Sequence, residues 1–540
     1  MKINSEPFSD YPFQKLFKDY ISGDKELQSF FSSNPFNDSS CRTRIEKCDY
    51  KQDRKKLVKI LKQFNKPFNP GSETIKSIES LGDPKSVVIV TGQQLTIFGG
   101  PLFTIYKTLT TIILSKRLSK KFNVNIIPVF WLADEDHDYD EIATVTVPVG
   151  QEMRSLSLQK PDQTEFRVSD FIINSKFSDF KNEIIALLPE TDFTAELRDT
   201  LNQSYKTGSN FSDAFGTLLM SLFSKHGLVL AGSNSKDVKE FTKSILTDSV
   251  SKKDSIYKEL DETSKKLEES GYERQVIVQE SNLFWIDDLG NRMKLSVDGK
   301  KWFAGDNKEQ RWSSEELIQM IESEPDRFSP NVFLRPLIQD ELLPSIGYVG
   351  GPGEISYYAQ MKGLYSTFNK EMPIIFPRVS ATLIESSIDR ALQKLPFNVS
   401  DFSDRIEDLE SKYIDQADTP DLESFFDEWK SNIDSLNTKM IPKVGEIDPT
   451  LENSAGKAEA VFFTELDKLK GKLYRSIKTQ EKTQIDRISK VKQSLYPNGN
   501  LQEREIAFVY FMNKYGIDIW DVMMNSLQDE IPDSHKLIYL

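Results

Sequence analysis

The sequence predicts an α/β protein: a Rossmann-type, mostly parallel sheet core with a small β insertion, followed by a C-terminal antiparallel helical coiled coil. Three observations carry this. Four short, continuous apolar runs are each followed by a polar loop and a helical stripe, the alternation of a sheet buried on both faces. One stretch, Arg274 to Gly305, alternates apolar and polar residues instead. After about Ala391, apolar residues step by 4, 3, 4, 3 along two long segments, the spacing of packed helices.

Taken in order, residues 1–85 read as helical and polar. "DRKKLVKILKQFNK" places Leu57, Ile60, Leu61 and Phe64 on one face. At Val87 "VVIV" begins a buried strand, and "TGQQLTIFGG" follows as a polar turn. Pro101 suits a first helical position, with Leu102, Ile105, Leu109 and Ile112 as the buried stripe. "IIPVFWLA" is a second strand and ends at the acidic run "DEDHD". "GLVLAG" (Gly227–Gly232) is a third, opening into the helix start "SNSKDVKEF". "PIIFPR" (Pro373–Arg378) is a fourth, leading to a helix over "SATLIESSIDRAL". Right-handed crossovers then place the loops TGQQ, DEDHD, GSNS and PRVS on one rim, where α/β sheets bind ligands.

The connecting insertion spans about 255–330. It carries hairpin signals at "DDLGN" and "DGKK", and a capping box at Ser313 with Glu316. Leu422, Phe426, Trp429, Ile433, Leu436 and Met440 form one helical stripe. Phe462, Leu466, Leu469 and Leu473 start a second, which continues less regularly to Leu495 and stops at "YPNGN". Asp448 and Pro449 fit a cap and first helical position between them. The expected division is a catalytic core over 1–390, a coiled-coil hairpin over 391–500, and a segment 501–540 packing back on the core. The hairpin seam serves intramolecular packing or self-association.

The 540 residues carry 69 Lys and Arg against 83 Asp and Glu, a net charge of −14. That argues against binding along a nucleic-acid backbone. No apolar run of 18 residues exists, so no membrane span is expected. "MKINSEPFSDYPF" lacks the apolar core of a signal peptide. Cys41 and Cys48 match no zinc spacing and read as reduced thiols, which together suggest a cytoplasmic protein.

Three stretches can carry chemistry. After the first strand come Gly92, Gln93 and Gln94, then Gly99, Gly100 and Pro101, glycines that let a ligand approach backbone at a helix start. The alternative is a tight strand–helix turn. The cluster Asp134, Glu135, Asp136, His137, Asp138 abuts a buried strand, where unpaired carboxylates repel. It can hold a divalent cation, grip an ammonium or sugar hydroxyls, let Asp136 or Asp138 orient His137 as a general base, or be a solvated loop. In the third stretch, Gly350, Gly351 and Gly353 surround Pro352 before a helix expected near Glu354. Arg335 and Arg378 can clamp a carboxylate or phosphate. For Arg335 by itself, a structural ion pair is the plainer role. Gln339, Asp340, Tyr348 and Glu354 add hydrogen-bonding groups.

"TGQQLTIFGGPLFTIYKT", "IPVFWLADEDHDYDEI", "FSPNVFLRPLIQDELLPSIGYVGGPGEISYYAQMKGLY" with "FPRVSATLIE", and "SLYPNGNLQERE" resemble, in this order, the cysteine-adding enzymes of bacillithiol biosynthesis, also called cysteine ligases. The resemblance implies a core related to class I synthetases and nucleotidyltransferases, and a coiled-coil domain linked to homodimer formation. It implies joining the carboxyl group of L-cysteine to the amine of glucosaminyl-malate. ATP, with Mg²⁺ alongside, is the expected cofactor, since a free carboxylate is a poor electrophile. On that reading Asp134, Asp136 and His137 hold or deprotonate the aminosugar. The glycine loops cradle phosphate or carboxylate, and Arg378 with Lys107 neutralises developing charge. The histidine pair usual at the first strand–helix turn of those cores is absent, and GGPLF stands there. Two rivals stay open: a non-catalytic coiled-coil scaffold with a degenerate core, and a metal-dependent hydrolase using Asp134, Glu135, Asp136 and His137.

Overall fold

Five parallel strands form the central sheet: β1 (Val87–Gln94), β2 (Ile126–Ala133), β3 (Val229–Gly232), β4 (Ser345–Gly350) and β5 (Ile374–Pro377). Their spatial order is β5-β4-β1-β2-β3. This is a computed structural model that describes residues 1–150, 152–160, 167–305, 307–416 and 422–540. Every residue of β1 from Val87 to Gly92 is buried, as a sheet covered on both faces requires. The four apolar runs are β1, β2, β3 and β5. The fifth strand, β4, lies between two of them, yet "SIGYVG" has no apolar run to announce it. Its small residues have a packing cause: a Cβ on Gly347 would stand 2.5 Å from the Phe376 ring of β5.

Four helices position the site: α1 (Leu102–Phe122), α2 (Lys236–Ser251), α3 (Arg335–Leu342) and α4 (Pro352–Tyr358). Helix α1 returns β1 to β2 and is buried nearly all round, so threonines 104, 108, 110 and 111 are interior. Pro101 caps it from outside rather than opening it. Helix α4 begins at Pro352, two residues before Glu354. "SATLI" is a strand (Ser380–Ile384), not a helix start; the helix is Ser386–Leu392. Ala381, Thr382 and Leu383 are all buried there, and no side chain caps the helix at its start.

Residues 1–85 are mostly helical, with Leu57, Ile60 and Leu61 buried on one face. The exception is Lys2–Glu6, a strand. Asn65 protects the sheet edge: its side chain donates to the Leu230 carbonyl (2.7 Å) and accepts from the Leu230 amide (3.0 Å), occupying backbone that an edge strand would otherwise expose. The insertion is an antiparallel sheet in the order 307–312, 301–304, 292–298, 283–286, 328–330. Gly290 and Gly299 take left-handed φ at its turns, and Ser313 with Glu316 forms the capping box.

The chain divides into two units, Met1–Thr382 with Gln502–Ile538, and Leu383–Leu501 with Tyr539–Leu540. The second unit holds α5 (Leu422–Ile447), α6 (Glu452–Gln480) and α7 (Lys482–Leu495). Helices α5 and α6 run antiparallel, since Glu423 pairs with Lys470, Lys430 with Asp467, and Asn437 with Glu459. Asp448 caps the turn at Pro449–Leu451 between them. The second stripe is broken at Glu481, so two helices stand where one continuous helix was expected. Leu422, Phe426 and Leu466 pack together, whereas Leu436, Met440, Leu469 and Leu473 are exposed in the chain by itself.

Candidate active site

A cavity of about 730 Å³ opens beyond the carboxyl ends of β1, β2, β4 and β5. The chain's strand order reverses between β1 and β4, the switch point where such sheets leave a crevice. Gly92, Gln93, Gln94, Asp136, Gly351 and Arg378 all line it, so segments far apart in the sequence meet there. The insertion adds Phe284, Arg292 and Lys294, and the segment Gln275–Ile277 crosses one wall.

Gly92 is small because β1 and β2 lie close: a Cβ there would meet the Trp131 carbonyl at 2.9 Å. Gln94 donates to Asp136 Oδ2 and to Glu141 Oε2, both at 2.7 Å. Gly99 and Gly100 are not at the cavity. Both take left-handed φ, and the Phe508 ring sits 2.1 Å from where a Gly99 Cβ would be. They form a packed turn rather than a ligand cradle.

Lys107, on the second turn of α1, is buried and aimed at the strand end. Its Nζ donates to the Gly92 carbonyl and to Gln93 Oε1, both at 2.9 Å, and pairs with Glu354 Oε2 at 2.5 Å. Burial lowers the Lys107 pKa, opposed by Glu354. Burial alone would raise the Glu354 carboxyl, but Lys107, the Gly351 amide (2.8 Å) and the Tyr348 hydroxyl (2.5 Å) hold it below the usual range. Gly351, Gly353, Tyr348 and Glu354 line the cavity; Gly350 does not, its carbonyl accepting from the Arg378 amide at 2.9 Å.

The two arginines exchange the roles expected of them. Arg378 is the structural one: it is buried and donates to both carboxylate oxygens of Glu503, at 3.0 and 2.7 Å. Arg335 lines the cavity and donates to Gln339 Oε1 at 3.2 Å and the Tyr357 hydroxyl at 3.1 Å, with the Glu354 carboxylate favouring its charge from nearby. Gln339 and Asp340 sit behind the wall, bonded to each other at 3.1 Å, with the Tyr365 hydroxyl on Asp340 at 2.8 Å.

The acidic run is dispersed. Asp134 turns away into a second, smaller cavity of about 230 Å³, accepting from the Ser233 and Asn234 amides at 3.0 and 3.1 Å. Burial, and then the neighbouring Glu135, push its carboxyl up to about 7. Glu135 reaches the cavity wall but is paired with buried Lys239 of α2. Asp136 is held by Gln94 and the His137 amide (2.8 Å). His137 does not line the cavity. Its Nδ1 lies 2.9 Å from Arg292 Nη1 and 3.7 Å from Asp136. A guanidinium only donates, so Nδ1 is the acceptor and the neutral ring carries its proton on Nε2. Asp136 therefore does not orient His137 through an Nδ1 proton. Among the described residues no group of three or more His, Cys, Asp or Glu could hold a metal ion.

Sequence reasoning passed over Arg292, Glu141, Glu503 and Arg504. Arg292 stands in an alternating β segment, where it looks like a surface residue. Yet it is buried, donating to Ser329 Oγ and the Pro330 carbonyl at 2.8 Å, with its guanidinium 3.6 Å from the Phe284 ring centre. Glu503 and Arg504 lie in "LQERE", a block whose resemblance was its only signal.

The family described as bacillithiol biosynthesis BshC, N-terminal Rossmann-like domain, matches residues 1–379, and its C-terminal coiled-coil domain matches 381–540. A relative from Salinibacter ruber is 31% identical over 97% of this chain and 96% of its own length. One from Chlorobaculum tepidum is 29% identical over 98% and 97%. One from Bacillus cereus strain AH820 is 29% identical over 95% and 96%. Each is named "Putative cysteine ligase BshC". With both family domains matched in order along nearly the whole chain, and a Rossmann-like sheet followed by a helical hairpin to match, this protein belongs to the BshC family of bacillithiol biosynthesis.

Proposed function

We propose that the cavity at the β1–β4 switch point joins L-cysteine, through its carboxyl group, to the amine of glucosaminyl-malate. The observation that supports this best is the convergence of the segments after β1, β2, β4 and β5 on one chamber, large enough for two small polar substrates. Amide formation makes a C–N bond and breaks a C–O bond of an activated carboxyl group, whose activating group leaves with the oxygen; the ammonium loses one proton to become the attacking amine and a second as the amide forms. Asp136 and Glu141, which line the cavity, would accept hydrogen bonds from that ammonium and take up those protons. Lys107 and the Gly351 and Gly353 backbone line the same cavity, where they would stabilise negative charge on the activated carboxyl group.

ATP, when bound, would supply the activation that makes the carboxyl carbon electrophilic. Arg335, Lys294 and Arg504 at the cavity suit phosphate groups. A Mg²⁺ ion would enter with those phosphates rather than sit in a protein cage, given the dispersed acids. A second copy of the chain would cover the apolar stripe of the hairpin. The reaction belongs in the cytoplasm, where thiols stay reduced; Cys41 and Cys48 are both free, and no described helix is long and apolar enough to cross a membrane.

The test is direct. Full-length protein with L-cysteine, glucosaminyl-malate and MgATP should yield the amide, identified by mass spectrometry, and omitting any one substrate should abolish it. No amide with all three present overturns the proposal.

A further inference from the structure

One wall of the cavity is a strap that belongs to no helix or strand. Residues 273–281 run from the helix Lys253–Glu269 to the insertion strand Leu283–Ile286. Val276 and Val278 are half-buried and pack against the core, while Gln275, Ile277 and Gln279 are exposed and line the cavity. Ile277 is 73% exposed there.

Among the described residues the strap's backbone is hydrogen-bonded at Val276 alone, and the partner is a side chain. Gln360 Oε1 accepts from the Val276 amide at 3.0 Å, and Gln360 Nε2 donates to the Val276 carbonyl at 3.0 Å. In an antiparallel sheet a neighbouring residue exchanges both bonds in this way; here a primary amide takes its place. The second Nε2 proton goes to Ser264 Oγ at 2.8 Å, and the Ser264 hydroxyl donates in turn to the Leu260 carbonyl at 2.7 Å. That hydroxyl has no proton left for Gln360, so the amide is fixed with its oxygen on the Val276 N–H. Gln360 itself is fully buried and does not line the cavity.

Gln360 follows α4, the helix whose start carries Gly351, Gly353 and Glu354 at the cavity. The strap nears that start: a Cβ on Gly353 would stand 4.0 Å from Gln275 Nε2. One short element therefore bears the glycine turn at one end and the strap's backbone anchor at the other, and sets the width between them.

We infer that Gln360 is a positioning residue for the proposed reaction: it holds residues 273–281 as a wall of the cavity, at a distance set by α4. Without it the strap keeps its valine contacts and loses its backbone restraint, and Gln275, Ile277 and Gln279 leave their places. A displaced wall costs substrate binding through lost contact and orientation.

The first arm of the test needs no substrate. Hydrogen exchange at single-amide resolution is followed in full-length wild type, Gln360→Met and Gln360→Glu. Relative to intrinsic rates, the wild-type Val276 amide should exchange about 10-fold or more slowly than those of Ile277 and Gln279. Gln360→Met, of similar length without hydrogen-bonding nitrogen or oxygen, should remove that difference. Gln360→Glu, which keeps an acceptor, should retain part of it. Protection over Val87–Gly92 should be the same in all three. A Val276 amide as fast as its neighbours in wild type, or still slow in Gln360→Met, overturns the anchor.

The second arm is kinetic and rests on the proposed reaction. Gln360→Met should raise the KM for glucosaminyl-malate or L-cysteine about 10-fold while kcat falls less than about 3-fold, with Gln360→Glu between it and wild type. A merely structural role would do the opposite, since a partly unfolded population lowers kcat and leaves KM alone. Ile277→Ser, at an exposed side chain whose loss spares the fold, should raise the same KM. An unchanged KM in both Gln360→Met and Ile277→Ser overturns the positioning role. If wild type forms no amide, the reaction is overturned, and the exchange arm still decides whether Gln360 holds the strap.

Discussion

Arg378 and Glu503 lie 125 positions apart in the chain and form a bidentate ion pair, with nitrogen–oxygen distances of 3.0 and 2.7 Å and both side chains buried. Glu503 also accepts from Ser380 Oγ and the Ala381 amide, each at 3.0 Å. The pair ties the segment after β5 to Gln502–Glu505, and so sets one wall of the cavity. Glu503→Gln should destabilise the protein by about 3 kcal/mol or more, because it leaves a buried guanidinium unpaired. Urea denaturation checks this; an unchanged midpoint would mean that Arg378 finds water.

Lys107 is held at the strand end by the Gly92 carbonyl, Gln93 and Glu354. Lys107→Met should cut amide formation about 10²-fold or more, as removing a positioned charge at a reacting centre does. The double variant Lys107→Met/Glu354→Gln should regain folding stability but not activity. Recovery of activity in the double variant would show that Lys107 serves packing alone.

Asp136 and His137 are neighbours in sequence with different surroundings. Asp136→Asn should lower product formation by about 10²-fold. His137→Ala should lower it less than about 10-fold, because its ring lies off the cavity and its Nδ1 is tied to Arg292. Initial rates under saturating substrate decide; equal losses would return His137 to the chemistry.

Asp134 carries a pH dependence of stability. Its carboxyl is raised from 3.8 to about 7 by burial first and Glu135 second. The folded state therefore holds a proton that the unfolded chain has lost between those pH values. Asp134 contributes stability that is fully present below about pH 4 and is lost as pH rises through about 7. Asp134→Asn, which keeps an acceptor for the Ser233 and Asn234 amides, should flatten the melting-temperature profile from pH 5 to 8 and melt above wild type at pH 8. Parallel profiles would show that Asp134 is ionised throughout.

The exposed stripe of the hairpin includes Met440 and Leu473. Met440→Glu with Leu473→Glu should convert a dimer to a monomer in sedimentation, leaving the melting of the first unit unchanged. A wild-type chain that sediments as a monomer, or a dimer that survives the substitutions, would place the subunit contact elsewhere or remove it.

Periodicity alone determined much of this protein. Apolar runs at Val87, Ile126, Val229 and Ile374 became strands because a strand covered on both faces needs apolar side chains on both. The 4, 3 stepping from Leu422 and from Phe462 became packed helices because one helical face must meet another. That the loops would share a rim also followed, since parallel strands send all their carboxyl ends one way. Tertiary structure decided the rest. Strand β4 stayed hidden because Gly347 is small to admit Phe376, a neighbour from another strand. Gly92 and Gly99 look alike in sequence, but one faces the cavity and the other packs under Phe508. Arg335 and Arg378 could be told apart only once Glu503 arrived from 125 residues away to neutralise one of them. A charge is available to a ligand only if no other part of the chain has paired with it, and that is a property of the folded neighbourhood, not of the residue.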